Sequence, residues 1–209
     1  WVAWANESGN HVKLWQLGNE TSYGSDSFTL EEAIEHTLEF AKAMKARDPR
    51  IQLIGWGDWE RARSKQLWAG EMLRRAGEQL DYIAIHMMGM RPSRTDTVLR
   101  GIRYQRNPEQ AWQELLELSK TVETRVTEVE EVIERQGAKA RLAITEGHLG
   151  LSPHNSNPIL SEWLSAVYHA RSLNIYQRHG KYVRIATAAD FEGNRWTVNA
   201  VMLQAPRGA

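Results

Sequence analysis

Two glutamates stand where reactive groups are commonly built. Glu20 closes the run "KLWQLGNE" at 13–20, in which alternating apolar residues lead through Gly18 and Asn19 onto a carboxylate. Glu146 closes "RLAITE" at 141–146, with His148 two residues beyond. A pair of carboxyl groups can divide acid/base work. One protonates a leaving oxygen while the other attacks carbon, or activates the water that attacks, and cleavage of a glycosidic bond needs that division. The two residues are far apart in sequence, so only the fold can bring them together.

The elements that must position them are legible from periodicity. Thr29 and Glu32 form a capping-box pattern, and Leu30, Ala33, Ile34, Leu38, Ala41 and Met44 recur at helical spacing, which predicts a helix over 30–47. "DPR" at 48–50 ends it, and "IQLIGWG" at 51–57 reads as a buried strand. The unit then repeats, with a helix over 64–79 and a strand over 81–88. Pro108 opens a helix that runs to Gln136, where Gly137 stops it before the strand at 141–146. Asn157 and Pro158 open a last helix to about His179, and "KYVRIATAADF" follows as a strand.

Strands that alternate with helices imply parallel strands joined by helical crossovers. The expected fold class is therefore α/β, either an open doubly wound sheet or part of a (β/α)8 barrel. Polar residues gather at the carboxyl-terminal strand ends: Asn19 and Glu20, then His86, then Glu146 with His148, then Asp190 and Glu192. In parallel α/β folds that rim carries active sites.

Composition narrows the partners. The chain has 209 residues, 42% of them hydrophobic, enough for one sizeable core. Its 26 basic and 26 acidic residues cancel, so there is no global electrostatic case for nucleic acid or an anionic membrane. The five arginines of 91–106 form one basic loop, too local a footprint for nucleic acid, and a solvated loop is the expectation. Cysteine is absent, which removes disulfides and thiolate metal sites but leaves the compartment open. No HExxH, GxGxxG or phosphate-binding loop is present, and no cofactor is expected. No apolar run approaches the roughly 20 residues of a membrane span. Nine tryptophans suit core filling and sugar stacking alike. Trp56 and Trp59, near a strand end, could line a sugar subsite, with packing the competing use.

Several segments resemble one family. "VKLWQLGNETSYG" at 12–24 is similar to the acid/base strand of clan A glycoside hydrolases, above all the family 51 α-L-arabinofuranosidases, in which a strand ends Gly-Asn-Glu. "WVAWAN" at 1–6 resembles the segment before that strand, and "LEFAKAMKARDPRIQLIGWG" at 38–57 the next helix and strand. "LDYIAIH" at 80–86 resembles the strand with the family's active-site histidine, and "LAITEGH" at 142–148 its nucleophile strand. The resemblance implies a retaining glycosidase with Glu20 as acid/base, Glu146 as nucleophile, Asn19 on the sugar hydroxyl beside the anomeric centre, and His86 in the site. His148 and Trp56 are further candidates for substrate contact.

The chain also departs from the family. Met88 stands where a tyrosine is usual, Gly150 where a tryptophan is usual, and Ala188 or Ala189 where a glutamine contacts substrate. The resemblance further implies that residues 1–209 are roughly strands 4–8 of a barrel, without its first three strands or any later β-domain. Trp1 in place of an initiator methionine agrees with that expectation. An unpaired sheet edge would then be covered by flanking sequence or by another copy of the chain. Two alternatives remain at this stage: a noncatalytic carbohydrate-binding or scaffold protein, and an open doubly wound domain whose ligand sits at a topological switch point.

Overall fold

The computed structural model describes residues 1–23, 27–60, 66–88, 95–153, 157–188, 192–193 and 201–202. Five strands, β1 (Leu14–Leu17), β2 (Gln52–Trp56), β3 (Tyr82–Met88), β4 (Arg141–His148) and β5 (Val183–Ala186), form one parallel sheet in the order β1-β2-β3-β4-β5. The helices are α1 (Val2–Glu7), α2 (Leu30–Arg47), α3 (Ala69–Ala76), α4 (Pro108–Gln136) and α5 (Trp163–Arg178). Spatial order follows chain order without reversal. A doubly wound sheet reverses direction at its switch point, whereas a barrel winds one way, so the order selects the barrel class. Glu192–Gly193 and Val201–Met202 pair as a separate two-stranded ribbon.

The chain divides into two compact units, Trp1–Ile85 with Glu128–Ala143, and His86–Thr127 with Ile144–Ala209. In the first, β1 lies parallel to β2 with Leu14 opposite Gln52 and Leu17 opposite Gly55, and β2 lies parallel to β3 with Ile54 opposite Tyr82. Helix α2 is bounded as expected because its signals are local. Glu32 N–H donates to Thr29 Oγ1 at 3.3 Å, and Thr29 N–H donates to Glu32 Oε2 at 2.8 Å. Such a cap contributes about 1 kcal/mol. The core of this unit includes Ile34, Ala41, Leu53, Trp68, Met72 and Ile83, all buried.

In the second unit, α4 buries Leu115, Leu118, Val122 and Val126, and α5 buries Tyr168 and Ile175. Arg171 Nε donates to Ser119 Oγ at 3.1 Å, linking the two helices. Thr187 N–H donates to Ile144 O at 2.9 Å and its hydroxyl to Thr145 O at 2.6 Å, which registers the end of β5 on β4. Asn157 is fully buried. Its amide donates to Leu99 O and Ser152 O, while its Oδ1 accepts from Ile159 N–H, so one side chain ties two loops to a helical turn.

Some boundaries differ from the sequence expectation. β1 stops at Leu17 rather than running to Glu20, because Gly18 adopts φ 84° and turns the chain. The helix expected over 64–79 is an α-helix only over Ala69–Ala76, finished by a 3-10 turn at Gly77–Gln79, and residues 61–65 lie outside the described part. The helix expected from Asn157 is a 3-10 turn at Pro158–Ser161 followed by α5, separated by Glu162 in an extended conformation. β5 is shorter than 181–191, and Asp190 lies outside the described residues.

Candidate active site

In the first unit the site begins where β1 ends. Gly18 takes a positive φ, Asn19 follows, and Glu20 is itself left-handed with φ 52°. A non-glycine residue held there costs on the order of 1–3 kcal/mol and persists only where its surroundings enforce it. Those surroundings are visible. Tyr23 N–H donates to Glu20 O at 2.9 Å, closing the turn, and Gln16 Nε2 donates to Gly18 O at 2.8 Å. A Cβ on Gly18 would meet Thr21 Cγ2 at 3.2 Å, so both space and conformation call for glycine. Asn19 is exposed and Glu20 half-buried, so both can meet a ligand.

The turn is fastened to the end of β2. Trp56 Nε1 donates to Ser22 Oγ at 2.9 Å, and that hydroxyl donates to Trp59 O at 3.1 Å. The Tyr23 hydroxyl donates to Asp58 Oδ2 at 3.0 Å, and Asp58 Oδ1 accepts from Trp59 N–H at 2.9 Å. Burial, then the negative charges of Asp58 and Glu20, push the Tyr23 phenol far above its ordinary pKa, so it stays protonated. Trp56 is only 1% exposed and packs edge-on to Tyr23. Trp56 is thus packed in the core, the use that competes with sugar stacking.

The second unit holds the other candidates. His86 lies on β3 and is 1% exposed, and its Nε2 stands 3.6 Å from Glu146 Oε1 on β4. The Glu146 side chain is 32% exposed, so one carboxylate meets both a buried imidazole and open space. His148, two residues along β4, falls on the same face by strand alternation but is 3% exposed, set within the protein rather than presented to solvent.

Thus the structure brings His86 and Glu146 together in one unit and sets Asn19, Glu20 and Trp56 in the other. Sequence reasoning missed Tyr23 and Asp58. The signal was present: Asp58 lies just past the end of β2, where only tryptophans are named as candidates, and Tyr23 is three residues after Glu20. Arg100, Arg103 and Arg106 of the basic loop are exposed, as a solvated loop requires, while Arg91 and Arg94 lie outside the described residues. No helix among the described residues is long and apolar enough to cross a membrane.

No protein-family model matches the sequence, and no curated protein matches it. Solved structures match in fold. The α-L-arabinofuranosidase from Thermotoga maritima aligns with a TM-score of 0.70 at 19% identity, over 92% of this chain and 36% of its own. The family 51 α-L-arabinofuranosidase from Bifidobacterium longum gives 0.70 at 19%, over 93% and 42%. The family 44 endoglucanase from Clostridium thermocellum gives 0.67 at 18%, over 90% and 45%. The fold is that of part of a (β/α) barrel, as in these glycoside hydrolases. The chain spans less than half of each of these structures, so its strands correspond to a portion of the barrel. Asn19 and Glu20 follow the end of β1, and His86 and Glu146 lie in the carboxyl-terminal halves of β3 and β4.

Proposed function

We propose that the chain forms the later part of a retaining glycoside hydrolase that cleaves terminal glycosidic bonds in the manner of α-L-arabinofuranosidases, with Glu20 as acid/base and Glu146 as nucleophile. The observation that supports this reading is that Glu20 follows the carboxyl-terminal end of β1 and Glu146 lies near that of β4, in a fold shared with glycoside hydrolases. The open edge of the sheet is, on this reading, covered by flanking sequence or by another copy of the chain.

On this reading, Glu146 attacks the anomeric carbon as the glycosidic bond breaks, and Glu20 gives its proton to the departing oxygen. A glycosyl ester on Glu146 results. Glu20, now a carboxylate, takes a proton from water, whose oxygen displaces Glu146 and frees the sugar with its anomeric configuration retained. Asn19 holds the neighbouring sugar hydroxyl, and His86 steadies the nucleophile. The half-exposed state of Glu146 beside a buried imidazole supports this, since the carboxylate is oriented from behind and open in front. Retention requires the two carboxyl groups to stand roughly 5–5.5 Å apart in the working enzyme.

The family 44 neighbour supports a second substrate class, a glucan chain, for the same residues. Met88 and Gly150 each replace an aromatic residue that the arabinofuranosidase resemblance implies, which weighs against an arabinofuranose-specific pocket.

The test is Glu146→Ala assayed on 4-nitrophenyl α-L-arabinofuranoside and on a soluble glucan. Turnover should vanish and azide should restore part of it, giving a glycosyl azide of inverted configuration. Undiminished turnover would overturn the nucleophile assignment. Sugar binding by the parent protein without any turnover would favour a noncatalytic binding protein.

A further inference from the structure

We propose that Tyr23 is the positioning residue for the Glu20 carboxyl group, with Asp58 fixing the phenol in place. The inference rests on the reading of Glu20 as acid/base and adds the device that aims it.

All three residues lie in the first unit. Tyr23 closes the turn after Glu20 through its backbone N–H, so the phenol and the carboxyl group spring from the two ends of one turn. The hydroxyl meets Asp58 Oδ2 at 3.0 Å and also hydrogen-bonds with the Glu20 side chain. Asp58 is 2% exposed, and its other oxygen is held by Trp59 N–H, so it has little freedom to follow a moving partner. Trp56 walls the ring edge-on, with ring centres 5.6 Å apart.

The chemistry suits a residue that must serve two protonation states of Glu20. A phenol has one hydrogen and two lone pairs. With its hydrogen on Asp58, the phenol leaves the single proton of the Glu20 carboxyl free to face the leaving oxygen; with its hydrogen turned to Glu20, it steadies the carboxylate left after proton donation. Because burial and the Asp58 carboxylate keep the phenol protonated in either state of Glu20, it retains that hydrogen throughout. Tyr23 does not touch the reacting atoms. It acts through Glu20.

The test uses Tyr23→Phe in the full-length protein, with Glu20→Ala alongside, on phenyl and 2,4-dinitrophenyl α-L-arabinofuranosides. Dinitrophenolate leaves without a proton, whereas phenolate needs one. For Tyr23→Phe, kcat/KM on the phenyl substrate should fall about tenfold or more, a fraction of the general-acid contribution. On the dinitrophenyl substrate kcat and KM should fall together with kcat/KM nearly unchanged, because only the second, base-assisted step slows. Glu20→Ala should show the same pattern more steeply, and Asp58→Asn a milder one, which supplies a second variant should Tyr23→Phe fold poorly. Equal losses on both substrates, or no loss, in Tyr23→Phe while Glu20→Ala shows the split would overturn the positioning role alone. Absence of the split in Glu20→Ala would overturn the acid/base reading and this inference with it.

Discussion

His86 Nε2 stands 3.6 Å from Glu146 Oε1, with the imidazole buried on β3 and the carboxylate half-open on β4. At that separation the two are within reach of a hydrogen bond that tightens as substrate binds, since catalytic contacts are often long in an unliganded site. His86→Ala would remove a polar partner of a charged group, an interaction worth roughly 1.5–3 kcal/mol. Turnover should therefore fall about ten- to a hundredfold, with the fold measured by circular dichroism unchanged. A full-activity His86→Ala protein would mean that the histidine only fills the core.

Trp56 makes a complementary prediction. It is buried, and its indole N–H is spent on Ser22. Trp56→Ala should cost about 3–5 kcal/mol in urea unfolding, as large-to-small core changes do. A stable Trp56→Ala protein with weakened sugar binding would support the subsite role instead.

Asp48 predicts a pH dependence of stability. The Arg50 guanidinium, then the Arg50 backbone N–H, hold the Asp48 carboxyl well below the usual carboxylate range. Asn6 Nδ2 adds a hydrogen bond at 3.0 Å. A carboxylate depressed by folding contributes stability above its unfolded pKa, about 3.9, and loses it as pH falls through the lower folded value. Asp48→Asn should be less stable than the parent at neutral pH, and the gap should close as the pH is lowered below about 4. A gap that is constant with pH, measured by urea unfolding, would contradict the charged role.

What could be read from residues alone divides along physical lines. Helix α2 was legible because its cap, its charges and its apolar stripe are local, and α4 because Pro108 and Gly137 mark both ends. The break at Glu162 was not, since the apolar spacing runs across it and the extended conformation is a matter of tertiary packing. The nine tryptophans were ambiguous by type. Structure sorts them, with Trp56 and Trp68 in the core and Trp1 and Trp163 exposed. His86 beside Glu146 was accessible through the strand-end pattern. The Tyr23–Asp58 pair needed the three-dimensional turn, because hydrogen bonding between residues 35 positions apart leaves no periodic trace.

The most direct measurement is covalent trapping. Incubation of the full-length protein with an activated 2-deoxy-2-fluoro glycoside of the sugar it hydrolyses should arrest the glycosyl-enzyme, since the fluorine slows both steps while the good leaving group speeds only formation. Peptide mass spectrometry should then find one fluoroglycosyl unit on Glu146, and none in Glu146→Ala. A label on Glu20 or another residue, or rapid inversion without any trapped ester, would contradict the assignment of Glu146 as the nucleophile.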